Sequence, residues 1–458
     1  MYYRNNYSLE KKIAVLYIFL LPLRMPAPLV SVTGIFSACA TYFDFILHIL
    51  GFTLMLMINH GQLQTNRFAN MFVKLVVFWE ITSLSMAALL HNSLGTLDGD
   101  DTMTAIFGPS IYYIHYLVIM FYNLYIFGMF TKREISKIID KLVLWNLVLG
   151  YVQIFICNGV GFIASIYDSL DLFNVFRPAS YITTISRIPV SGSEPAAAGC
   201  FIGILVFPYL MSKIISRENV KRNYIQILLW LPVVFFTKSS TCYILVFVDF
   251  LVFFILGVKN RCFGKGTLVL MVGLCIGMLT ISIVSTNDFA DNSLIEQIKY
   301  LLFEKSSDKN NESSVTRTIP TYINFKTFLE YPFFGVGNGN QGFFYDKYFP
   351  SWGDISLGTF SKIRGVADGG VFLPSLFSGY GIIGVLMWGI CTVRYVRHAI
   401  VCKPLLNSFY YMFIIAFMAF LVNGFQGDYF GNYMTLFVLC IPFMADRCKD
   451  YNEGEIKK

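Results

Sequence analysis

The chain has 458 residues, of which 56% are apolar, 17% aromatic and only 14% charged. Soluble domains carry about a quarter charged residues, so this composition excludes a water-soluble enzyme and makes the bilayer the solvent. The net charge of +7 sits in short basic clusters between apolar runs, which excludes a nucleic-acid-binding face and reads as a topology signal.

A helix needs roughly twenty mainly apolar residues to cross the hydrocarbon core. The hydrophobic pattern predicts such spans near 13–33, 36–58, 70–93, 110–130, 141–164 and 196–213, then near 223–238, 240–258, 267–286, 370–393, 406–423 and 431–446. That makes about twelve spans, an all-α integral membrane bundle. Arg4, Lys11 and Lys12 ahead of the first apolar stretch suit a membrane anchor better than a cleaved leader, because further spans follow. Thr237-Lys238-Ser239-Ser240 leaves only a tight turn between two short helices. The ten cysteines show neither a disulfide framework nor zinc-ligand spacing, and no internal repeat is visible.

Basic residues fall in alternate connectors: Lys132-Arg133 to Lys141, Lys213 to Arg222, Lys259 to Lys265, and Arg394 to Lys403. The intervening 94–109 and 424–430 carry no lysine or arginine. The basic side and both termini are therefore expected in the cytoplasm. Residues 1–286 then hold nine spans and a smaller outer loop at 165–195, residues 287–369 form a long extracytoplasmic loop, and 370–458 hold three spans and a cytoplasmic tail.

The smaller outer segment runs from Arg177-Pro178 through Arg187-Ile188-Pro189 to Gly192-Ser193-Glu194-Pro195, after which Ala196 to Gly199 open a helix. An arginine, a glycine turn and a carboxylate beside a helix N-terminus make a cradle for phosphate or pyrophosphate, with one acid next to it. The same residues also suit an ordinary helix cap, with Arg187 at the lipid head groups. The long loop contains Arg317-Thr318-Ile319-Pro320, a helix-like stretch Tyr322–Leu329, and Glu330-Tyr331-Pro332 leading to Gly335-Val336-Gly337 and Gly342. Gly335 and Gly337 allow tight turns and close approach to a ligand. No Lys-Ser/Thr follows, so a nucleotide phosphate loop is excluded. Tyr345, Trp352 and neighbouring aromatics alternate with Lys347, Lys362 and Arg364. Such a tract either stacks on sugar rings or lies at the membrane interface.

Ionisable groups inside spans are expensive, which marks Asp44, His48, Glu80 and Asp249 either for proton or ion traffic or for pairing inside the bundle. Asp98-Gly99-Asp100-Asp101 offers carboxylates for a divalent cation, or an ordinary solvated turn. The five histidines show no metal-binding spacing.

In its layout of spans, its Arg187…Gly192-Ser193-Glu194-Pro195 segment, its Phe236–Thr241 tract, and its long loop with Arg317…Tyr331-Pro332…Gly335-Val336-Gly337, the chain resembles the bacterial O-antigen (Wzy-type) polymerases. The resemblance implies a GT-C-like bundle in the cytoplasmic (inner) membrane that joins oligosaccharide repeat units carried on undecaprenyl pyrophosphate, without a cofactor or a metal. It further implies that Arg187 and Arg317 hold the pyrophosphate, with Arg364 as a weaker third, and that Glu194 orients or deprotonates the acceptor hydroxyl. Gly335, Gly337, Tyr345 and Trp352 would line the substrate. Partners would be the lipid-linked oligosaccharide, membrane lipid and a chain-length regulator protein. The related O-antigen ligases carry a histidine before the helix that leaves the long loop, where this chain reads Asp368-Gly369-Gly370. That difference favours the polymerase over the ligase. A flippase for the same lipid-linked oligosaccharides is the remaining rival.

Overall fold

The computed structural model describes residues 3–22, 51–57, 65–97, 100–170, 177–192, 194–262, 312–350, 372–425 and 433–447. Among them six helices are long and apolar enough to cross a membrane: Arg67–Leu94, Phe107–Met129, Lys132–Cys157, Pro195–Ile215, Ser240–Lys259 and Phe372–Val401. The shorter apolar helix Ser408–Asn423 packs against two of them, 195–215 and 240–259. The protein is thus helical and membrane-embedded. The expected span near 267–286, most of that near 36–58, and Asp44, His48, Trp352 and Arg364 lie outside the described residues.

The 132–157 helix begins well before the expected start at 141. Thr131 accepts from the Glu134 N–H, and the Glu134 carboxylate accepts from the Thr131 N–H in return. This capping box satisfies two orphan donors, so Lys132, Arg133, Lys137 and Lys141 are helical rather than part of a connector. At the same end Asp140 accepts from the Tyr209 hydroxyl at 2.9 Å and pairs with Lys213 at 3.5 Å and Arg222 at 3.7 Å. These contacts tie the start of the 132–157 helix to the end of 195–215 and the start of the Val220–Thr237 helix. Successive helices therefore alternate in direction, with this basic cluster at one end.

The 195–215 helix is the core of the bundle, its most apolar stretch being 94% buried. Lipid tails are as apolar as leucine, so close helix packing here depends on small residues rather than on a hydrophobic drive. Gly199 and Gly203, one turn apart, supply them. A β-carbon on Gly199 would stand 2.8 Å from Cys242 backbone atoms, and one on Gly203 would stand 2.4 Å from the Leu245 β-carbon. A π turn, Ile202–Val206, follows in the same helix.

Two expected loops contain regular structure. The smaller outer segment includes the helices Gly161–Leu170 and Ala179–Ile185. In the long loop the helix runs Glu312–Glu330, longer than the expected Tyr322–Leu329, and carries Arg317.

Candidate functional site

The segment that carries Arg187 is built on one glutamine. Gln153, fully buried on the 132–157 helix, accepts from the Val190 N–H at 2.8 Å and donates to the Val190 carbonyl at 2.8 Å. Val190 has φ 50°, a region that a β-branched residue enters only at a cost, so this double hydrogen bond holds a strained backbone in place. Gln153 also donates to the Tyr167 hydroxyl at 3.1 Å, which in turn donates to the Arg177 carbonyl at 3.0 Å. Tyr167, Arg177 and Val190 of the outer segment are thereby fastened to the bundle.

Arg187 lies at the C-terminal end of the 220–237 helix. Its Nε donates to the Thr237 carbonyl at 3.1 Å, and the Ile188 N–H donates to the Phe236 carbonyl at 3.1 Å. The last carbonyls of a helix lack intrahelical donors and carry partial negative charge, so a guanidinium is favoured there. The cap uses only Nε; among the described residues the two Nη amines make no hydrogen bond. Burial pulls the Arg187 pKa down, and Tyr181, Tyr243 and Glu194 act against that shift.

Three further groups gather at this end. Lys238, half-buried with φ 44°, makes the turn between the 220–237 and 240–259 helices. Ser239 caps the second of these, its Oγ accepting from the Cys242 N–H at 3.5 Å. Glu194 occupies the cap position of the 195–215 helix, exposed and with no capping hydrogen bond of its own. The turn before it is tight: the Gly192 N–H donates to the Pro189 carbonyl at 2.8 Å, and a β-carbon on Gly192 would stand 2.9 Å from the Ala198 nitrogen. Beside this turn Ser191, 5% exposed, has no hydrogen-bond partner for its Oγ among the described residues. The result is a pair of cations, a carboxylate and the donor-rich start of a helix at one end of the bundle. That end is opposite the Asp140 cluster.

The glycine loop does something else. The 372–401 helix is broken at Gly381, where φ is 61° and ψ −169°. A break at membrane depth strands backbone groups that lipid cannot satisfy. The loop supplies the partners: Val336 and Gly337 donate to the Ser378 and Gly379 carbonyls, both at 2.9 Å, and Ile382 and Ile383 donate to Pro332 and Phe333 at 2.8 and 3.2 Å. Gly335, at φ 68°, is obligatory in this docking, because a β-carbon would stand 2.4 Å from the Ser378 carbonyl oxygen. Gly337 meets Ser83 in the same way, at 2.9 Å. Both glycines thus admit protein backbone rather than an outside ligand. Asn338 extends the docking, donating from its backbone N–H to Ser83 Oγ at 3.0 Å and from Nδ2 to the Tyr113 hydroxyl at 3.2 Å.

Tyr345 is fully buried in an apolar cluster with Leu90, Ile319, Ile323, Val336 and Phe344, so it is not an open stacking face. No hydrogen bond or ion pair among the described residues joins Arg187 or Glu194 to the glycine loop. Glu80 accepts a hydrogen bond from Ser110. Asp249 is fully buried and has no hydrogen-bond partner among the described residues. Asp101 turns on its own connector, accepting from the Met103 and Thr104 N–H groups at 2.9 and 2.8 Å. Those bonds, led by the one from Thr104, hold its carboxyl below the usual range.

Gln153 and Ser191 carry no motif. A glutamine in the middle of an apolar helix is itself a signal, since an unpaired polar group there is costly. No known protein family has a model that matches this chain, and no curated protein matches it in sequence.

Proposed function

We propose that the protein is a glycosyltransferase that polymerises oligosaccharide repeat units carried on a polyprenyl pyrophosphate, working at the membrane face opposite its basic end. The observation that carries this reading is the gathering of Arg187, Lys238 and Glu194 at the start of the 195–215 helix, on backbone fixed by Gln153. In the reaction an acceptor hydroxyl attacks the anomeric carbon of the donor sugar. The bond from that carbon to the pyrophosphate breaks, and its electron pair leaves on the phosphate oxygen. The Arg187 Nη amines and the Lys238 ammonium offer fixed positive charge where that negative charge develops. Glu194, exposed and without a capping bond, takes the hydroxyl proton. Arg317 belongs to the same reading through the sequence resemblance, as a second pyrophosphate ligand from the 312–330 helix.

Deletion of the gene tests this. A polymerase deletion converts the ladder of surface polysaccharide on a gel to a single repeat unit on its carrier. Unattached long polymer would identify a ligase instead, and loss of all surface repeat units would identify a flippase.

A further inference from the structure

The basic end of the bundle holds a second concentration of charge, which the proposed reaction does not use. Arg67 and Lys74, at the start of the 67–94 helix, and Arg394, Arg397 and His398, near the end of the 372–401 helix, line one cavity of about 680 Å³. His398 has a partner, Asp446, at 3.5 Å, and Arg67 lies over the Phe68 ring at 4.6 Å. Among the described residues no carboxylate pairs with Arg67, Lys74, Arg394 or Arg397. All four are exposed. Like charges around one cleft repel each other, and an anion seated between them reverses the sign of that interaction.

A second observation says what kind of anion. The cleft adjoins an apolar one, which the same two helices line together with 107–129, 408–423 and 433–443; Met71 lines the first and Phe72 the second. The second cavity, about 140 Å³, is walled by aromatic and aliphatic side chains, among them Val76, Trp388 and Tyr395. A cationic mouth beside an apolar slot matches an amphiphile that has a phosphate at one end and hydrocarbon at the other. Basic pockets between membrane helices recognise anionic lipid head groups in this way.

We propose that this cleft is a binding site for an anionic phospholipid, its phosphate held by Arg67, Lys74, Arg394 and Arg397 and the first part of one acyl chain entering the apolar slot. The site does not depend on the reaction proposed above. It is also at the other end of the bundle from Arg187.

The test uses the full-length protein, stripped of lipid in detergent and titrated with phosphatidylglycerol or with phosphatidylcholine of the same chains, with bound copies read by native mass spectrometry. The expected result is a preference for phosphatidylglycerol of at least about tenfold, removed by combining Lys74→Gln, Arg394→Gln and Arg397→Gln. These side chains are exposed, so the variant should elute as the parent does; if it does not, Arg397→Gln alone is compared and should lower the preference. Equal binding of the two lipids, or an undiminished preference in the folded variant, overturns the proposal. Displacement of the lipid by inorganic phosphate in millimolar excess also overturns it, because the ligand is then a soluble phosphate that does not need the apolar slot.

Discussion

The stretch from Arg187 to Glu194 and the stretch from Glu330 to Gly342 are made of similar residues, with proline, glycine and charge placed beside a helix. They fold to opposite purposes. In the first, a single buried glutamine and the end of a neighbouring helix satisfy the backbone, and among the described residues the Arg187 Nη amines and the Glu194 carboxylate make no hydrogen bond. In the second, the backbone itself fills the break at Gly381, and the side chains that follow, Phe344 and Tyr345, turn into a small apolar core. Glycine next to an aromatic tract is therefore poor evidence for a ligand site in a membrane protein, where another broken helix competes for the same exposed backbone. Charge held in place by other groups, with donors to spare, is better evidence.

The contrast predicts that the glycine loop responds to substitution through stability. Gly335→Ala combines a left-handed φ with a β-carbon 2.4 Å from backbone atoms, and should cost about 3 kcal/mol or more. Thermal unfolding in detergent should fall sharply, and proteolysis should open the 330–342 stretch. A wild-type unfolding temperature would show that the loop is not docked as described. Gln153→Leu should cost somewhat less, on the order of 2–3 kcal/mol, because it leaves the buried Val190 N–H and carbonyl unpaired. It should also shorten the polymer, since it loosens the segment that carries Arg187. Unchanged polymer with lowered stability would separate Gln153 from the site. The smallest effect is expected for Thr131→Ala, which removes one side of the capping box for about 1 kcal/mol and leaves the product unaltered. A change in polymer length there would mean that the two ends of the bundle are coupled.

Much of the fold is legible in the sequence because apolar runs and basic clusters are local signals. The tight turn at Lys238, the helix that Pro195 opens, and the solvated turn at Asp101 all follow from neighbouring residues. The start of the 132–157 helix was legible too, in Thr131 and Glu134, but basic residues in its first turns mimic a connector. What sequence reading misses is non-local. Gly335-Val336-Gly337 and Gly379-Tyr380-Gly381 are each an ordinary glycine pair, and only their pairing across the chain explains both. Arg187 reads as a residue near the helix that follows it, yet it caps the 220–237 helix instead, through Thr237, fifty residues further along the chain. Gln153 has no motif, because its role depends on a backbone strain at Val190 that appears only in three dimensions.

The proposed reaction rests on Arg187, whose loss should leave the fold nearly intact while removing charge from the site. The most direct measurement is polymer formation by the purified protein in membranes supplied with polyprenyl-pyrophosphate-linked repeat units, comparing wild type with Arg187→Ala and Arg187→Lys. A ladder from wild type, a rate on the order of a hundredfold lower for Arg187→Ala, and partial recovery in Arg187→Lys are expected, all with similar thermal unfolding. A full ladder at the wild-type rate from Arg187→Ala would contradict the assignment of this site.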